Sequence, residues 1–156
     1  MSLPYENSTT GEKALGEIQK ILQRFGCQSF GSMMDFEKKE LLLQFKYRNT
    51  PISVKASSAG YAAAWLKEHP YTNRMRKTKH EHETQAVEIA GIAVYSILRD
   101  WIKGQVTAIE CGILSFEGAF LGQVLLPSGQ TILEYSKDNL LKLPPPQEHS
   151  NEYGSI

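Results

Sequence analysis

Arg74, Arg76, Lys77 and Lys79 place four cations within six residues, and His80 and His82 follow directly. Arginine offers a forked, bidentate donor and lysine a mobile point charge, so the run suits a phosphate backbone. Tyr71 within the segment and Trp65 just before it supply rings on which unpaired bases stack, at about 1–3 kcal/mol per base. Thr78 with Glu81 three residues later makes a capping box, which sets the run at the start of a helix. Backbone N–H groups and the helix dipole favour anions there. The plainer alternative is a solvated loop whose charge is offset by Glu81, Glu83 and Glu88 on the helix that follows.

A second set of cations, Lys46, Arg48 and Lys55, comes from segments of period two. In ELLLQFKYR, residues 40–48, Leu41, Leu43, Phe45 and Tyr47 alternate with Leu42, Gln44, Lys46 and Arg48. In residues 52–56, Ile52, Val54 and Ala56 alternate with Ser53 and Lys55. Alternation of this kind puts one apolar face on the core and leaves a polar, cationic face outside. The order helix, three-stranded meander, helix is also that of double-stranded-RNA-binding domains and of the core of some single-strand annealing proteins, whose surfaces track phosphates. The long interval between the third strand and the next long helix departs from the double-stranded-RNA-binding pattern.

Other chemistry finds less support. His80 and His82 stand about 200° apart around a helix, whereas zinc-binding helices use pairs spaced i, i+4. Cys27 and Cys111 are isolated, and no metal or cofactor is expected. Asp35, Glu37, Asp100, Glu110 and Glu117 would make a nuclease-like cluster only if folding brought them together; Arg99 and Lys103 are ready surface partners for the two on the long helix. The glycines form no phosphate-binding loop and no GxSxG elbow. Trp101 and Tyr95 read as core residues rather than as a ligand box.

Positioning these groups falls to a chain of 156 residues, long enough for one domain with a core that needs no staples. Seventeen basic residues balance seventeen acidic ones, which excludes a polybasic protein whose whole surface meets nucleic acid and leaves room for a local patch. Two cysteines cannot build a disulfide framework. The longest uncharged apolar stretch, Ala90 to Leu98, is far short of the roughly 20 residues of a membrane span. The opening MSLPYENSTTGEK has no apolar signal-peptide core, so a cytoplasmic location is expected.

The spacing predicts a loose arm over 1–10, a single α+β domain over 11–143 and a disordered tail over 144–156, beginning at Pro144-Pro145-Pro146. Thr9 with Glu12 fits a capping box for a first helix over 11–25, with Leu15, Ile18, Leu22 and Phe25 on one stripe and Gly26 as its stop. A weak strand at 28–34, a strand at 40–48, a turn at Asn49-Thr50-Pro51 and a strand at 52–56 make the antiparallel meander. An Ala-rich helix over 59–68 ends before Pro70. The long helix starts at 79 and runs to 103, or on to Cys111 if Gly104 does not break it. Unbroken it would be on the order of 50 Å long, so it is expected to protrude, to bend at Gly104, or to pack in a homo-oligomer. Residues 115–125 read as helix, Pro127-Ser128-Gly129 as a turn, and 130–143 fit either strand or helix. The meander is expected to pack Leu43, Phe45, Tyr47, Ile52 and Val54 on the N-terminal and the long central helix, with helix and turn elements at the C-terminal end.

The segments GYAAAWLKEHPYTNRMRKTK (residues 60–79) and AVYSILRDWIKGQVTAIECGILSFEGAFLGQVLLPSGQTIL (residues 93–133), with the helix and meander before them, resemble a family of small bacteriophage and prophage proteins over about residues 11–134. The resemblance implies a phage accessory protein at work in the cytoplasm of a bacterial host; it implies no reaction and no catalytic residue. The sequence therefore leads to a non-enzymatic protein that binds nucleic acid, DNA or RNA, through Arg74, Arg76, Lys77 and Lys79 with help from Lys46, Arg48 and Lys55, and with Tyr71 and Trp65 stacking on bases. The rival is a protein that inhibits or recruits a host defence or replication protein with the same loop. A small nuclease stands third and needs converging carboxylates.

Overall fold

Apolar side chains at positions 14, 18 and 22 form the buried stripe of α1, Gly11–Phe25, and Gly26 closes it in the left-handed conformation at φ 101°. Its N-cap is Thr10, whose side chain makes no capping hydrogen bond, so the expected Thr9–Glu12 box is not the device used. The structure is a computed structural model and describes residues 2–140. Leu141, Leu143 and the tail expected over 144–156 lie outside the described residues.

Three strands follow, β1 (Ser29–Asp35), β2 (Glu40–Tyr47) and β3 (Thr50–Ser57), paired antiparallel in the order β1-β2-β3. The register aligns Phe30, Phe45 and Ile52 in one row and Ser32, Leu43 and Val54 in the next. These rows face the core, as the alternation predicts, and full burial of Leu43 or Ile52 contributes roughly 1.5–3 kcal/mol each. Tyr47 pairs with Thr50, so the hairpin turn is the two residues Arg48 and Asn49 rather than Asn49-Thr50-Pro51. Both central residues have positive φ, 46° and 62°, the two-residue turn whose twist suits a hairpin. Pro51 is accommodated within β3 because its carbonyl faces the outer edge, where it accepts from Leu125 N–H at 2.9 Å. The donor that proline lacks is therefore missing on that side, away from the β2 ladder.

Helix α2, Ala59–Glu68, ends one residue before His69 and Pro70. Helix α3, Lys79–Glu110, then runs 32 residues without a break at Gly104, about 48 Å at 1.5 Å per residue. The cost of a mid-helix glycine, about 1 kcal/mol, is outweighed by contacts on both sides of it. Trp101 meets Phe120 edge to face at 5.7 Å, and Gln105 Nε2 donates to the Ala119 carbonyl at 2.6 Å. The helix is accommodated within one chain because α2 covers its first half, through Ala62, Trp65, Ala86 and Ala90, while α1 and the sheet cover its second half, through Val94, Leu98, Ile102 and Val106. Helix α1 lies beside that second half and runs the same way: Gly11 sits where an added Cβ would come within 2.7 Å of the Tyr95 ring, and Glu17 pairs with Arg99 at 3.3 Å.

The C-terminal part is a short helix α4, Phe116–Phe120, a 3-10 turn over 121–123, and α5, Ile132–Leu140. Residues 115–125 are thus only partly helical, since Val124 bridges Ile52 and Leu125 bridges Thr131. The ambiguity over residues 130–143 resolves as a bridge at Thr131 followed by α5. The whole is an α+β fold with a three-stranded antiparallel sheet and a long central helix.

The segment read as a loose arm lies against α2 and α3. Tyr5 donates to Asp100 at 2.6 Å, the Pro4 carbonyl accepts from Tyr61 at 2.6 Å, and Leu3 joins the cluster around Trp65. No helix among the described residues is long and apolar enough to cross a membrane.

Candidate nucleic-acid interface

The cationic run occupies the connection between α2 and α3, and local chemistry fixes its path. Pro70 cannot continue α2. Tyr71 Oη then donates to the Lys77 carbonyl at 3.0 Å and Met75 N–H to the Thr72 carbonyl at 3.1 Å, folding the loop back on itself. At its far end the capping box is complete. Thr78 Oγ1 accepts from Glu81 N–H at 3.1 Å, and the Glu81 carboxylate accepts from Thr78 N–H at 3.1 Å. That carboxylate is therefore engaged with backbone and not with a cation. Lys77 is half-buried and its ammonium donates to Gln85 Oε1. Arg74, Arg76 and Lys79 are exposed, and among the described residues no carboxylate lies within 4 Å of them.

The aromatic residues beside the loop do other work than the sequence suggests. Trp65 is 6% exposed. His69 stacks on it at 4.4 Å and 15°, and His82 lies tilted against it at 5.1 Å. No face of this indole is open to a base, so its expected stacking role gives way to packing between α2 and α3. Helical spacing does not say which side of a short Ala-rich helix is covered, and the sequence could not settle this. Tyr71 is half-buried, with its ring 5.9 Å from His82 and its hydroxyl committed to the loop. His82 itself is 1% exposed. Its Nε2 is 2.6 Å from the His69 carbonyl, which can only accept, so that nitrogen carries the proton. Nδ1 has no partner among the described residues.

A groove of about 510 Å³ runs beside the loop, lined by Leu66, Pro70, Tyr71, Asn73, Lys79, His82 and Glu83. Asn73 was not singled out by its sequence; its only signal is its place between Tyr71 and Arg74.

The sheet cations are not brought to this loop. Lys46 is exposed on the outer face of β2, next to a groove lined by Ser29, Gly31, Gln44, Pro51 and Leu125. Arg48 leaves that face altogether, because it belongs to the turn; its guanidinium sits 5.2 Å from the centre of the Tyr47 ring. The Tyr47 ring in turn lies 4.9 Å from Phe116 of α4, which packs on α3 near Gln105. The loop starts α3 at Lys79, so roughly 40 Å of helix separates the two sets. Lys55 is taken up by Glu134 of α5 at 4.0 Å, and the same helix and the bridge at Val124 cover Ser53. The loop cations and the sheet cations expected to help them therefore form two patches, one on the loop and one at the tip of the β2–β3 hairpin.

The acidic candidates disperse likewise. Asp35 accepts from the backbone of Glu37 and Lys38, both at 3.0 Å, and so shapes the β1–β2 turn. Asp100 accepts from Tyr5 and from Arg99, and these two hydrogen bonds, Tyr5 first, hold its carboxyl below the usual range. Among the described residues no three metal-capable side chains converge. Burial pushes the Cys27 thiol up to about 11, which removes it as a nucleophile near neutral pH. No protein-family model, curated protein or solved structure matches the chain.

Proposed function

We propose that this chain binds nucleic acid without catalysing a reaction, and that its contact is the loop of Arg74, Arg76, Lys77 and Lys79 ahead of α3. The observation that carries the reading is that Arg74, Arg76 and Lys79 are exposed and, among the described residues, have no carboxylate within 4 Å, on a loop whose backbone is held by Tyr71 and by the Thr78 cap. Three such charges at the start of a 32-residue helix neutralise backbone phosphates with little readout of sequence. Stacking contributes less than the sequence suggests, since Trp65 is buried. The sheet cations contribute to a long ligand only. The same proposal includes a phage accessory role in the host cytoplasm, which only the sequence resemblance to bacteriophage and prophage proteins supports.

The test is fluorescence anisotropy with short single-stranded DNA, RNA and duplex probes. Arg74→Ala/Arg76→Ala/Lys77→Ala/Lys79→Ala abolishes binding on this reading, while Lys46→Ala/Arg48→Ala leaves a short probe bound. Unchanged affinity in the quadruple variant rejects the site.

A second reading has an observation of its own. Ile113 and Leu114, in the turn between α3 and α4, are 73% and 41% exposed, beside a groove lined by Gly104, Thr107 and Ala108. Exposed apolar side chains of this kind suit a partner protein. A host protein retained from nuclease-treated lysate by the wild type, and lost with Ile113→Asp, would favour that reading over nucleic acid.

A further inference from the structure

We infer that β1 is a self-pairing edge, through which two copies of this chain join their sheets into one of six strands. This inference stands apart from the nucleic-acid reading.

The edge is open. β1 lies at the end of the order β1-β2-β3, and no backbone hydrogen bond other than those to β2 engages residues 30–34 among the described residues. The opposite edge is closed in part, by the Ile52–Val124 bridge and by Leu125 on Pro51. Free edges are usually guarded by lysine, proline or an inward charge. The run Ser29–Asp35, SFGSMMD, has none of these before its final residue.

The edge is also complementary to itself. An antiparallel pair of β1 strands about a two-fold axis at Ser32 sets Phe30 opposite Met34 on the core side and Met33 opposite Gly31 on the outer side. Met33 is 60% exposed, and an added Cβ at Gly31 meets nothing within 4 Å, so the methionine of one copy has room over the glycine of the other. Asp35 of each copy then stands opposite Ser29 of the other, in the row that continues to Lys46. Lys46 has no acidic partner among the described residues, and here it gains one at both ends of the pair. Gln19 and Gln23 of α1, which line the groove under the edge, bring no charge to repel a copy.

A strand pair of seven residues covers little area, so the dimer forms with rising concentration rather than as an obligate pair. Sedimentation equilibrium of the full chain tests it. The wild type is expected to pass from monomer to about twice that mass as concentration rises. Met33→Lys and Gly31→Lys, both at positions with open space in the single chain, are expected to stay monomeric with an unchanged circular dichroism spectrum. Ser32→Cys in a Cys111→Ser background is expected to form a disulfide-linked dimer under mild oxidation, and Cys111→Ser alone is not. A wild type that is monomeric at every concentration, or a dimer that Gly31→Lys leaves intact, overturns the inference.

Discussion

Tyr5 and Asp100, 95 positions apart, meet in a 2.6 Å hydrogen bond that fastens the first residues of the chain to α3. The bond raises the Tyr5 phenol above its ordinary value of 10.0 and lowers the Asp100 carboxyl below its ordinary 3.8. A depressed carboxyl contributes stability above its unfolded value and loses it as pH falls through the folded one. A raised phenol contributes below its unfolded value and loses it as pH rises through the folded one. The segment at 3–8 is therefore held across the neutral range and loosens at either extreme. Hydrogen exchange of these amides checks this: Tyr5→Phe should speed exchange at neutral pH and flatten its dependence on acid below pH 4. Equal exchange in both proteins would show that Leu3 and the Pro4–Tyr61 contact suffice.

Separation of the two cationic patches fixes the salt response of the proposed binding. Single-stranded ligands release about 0.7 counterions per neutralised phosphate, so three or four loop cations give a slope of roughly −2 to −3 in log K against log salt. The full set of seven cations expected from the sequence would give roughly −5. Titrations with a short oligonucleotide at several salt concentrations decide between these.

Trp65 belongs to the α2–α3 interface, not to a ligand. Trp65→Ala should cost about 3–5 kcal/mol in urea unfolding, within the range for buried large-to-small changes. Probe affinity per folded molecule should stay near wild type. A stable variant with weakened binding would return the indole to the stacking role.

Gly104 is exposed within an unbroken helix, and nothing lies within 4 Å of a Cβ placed there. Gly104→Ala should stabilise the protein by about 0.5–1 kcal/mol, a rise of a few degrees in Tm for a chain this size. A loss of stability would mean that the glycine is needed for a close approach that the single chain does not contain.

Most elements were legible because their signals are local. The stripe at Ile18 and Leu22, the alternation through Leu41, Leu43 and Phe45, the Thr78–Glu81 cap and the stop before Pro70 each depend on neighbours within a turn or a strand. The hairpin turn was misplaced by one residue or two because Asn49 and Pro51 are both turn formers. Register with β2 chose Arg48 and Asn49, and that choice removed Arg48 from the sheet face. Gly104 looked like a break because propensity ignores the Trp101–Phe120 and Gln105–Ala119 contacts.

The sequence by itself determined which side chains carry charge, which stripes are apolar and which residues begin and end most elements, since periodicity and capping act over a few residues. Tertiary structure alone decided that Trp65 is enclosed, that Lys55 meets Glu134, and that the loop and hairpin cations stand at opposite ends of α3. Those outcomes follow from how α1, α2 and α4 pack along one 32-residue helix and how α5 meets β3, a geometry no local pattern encodes.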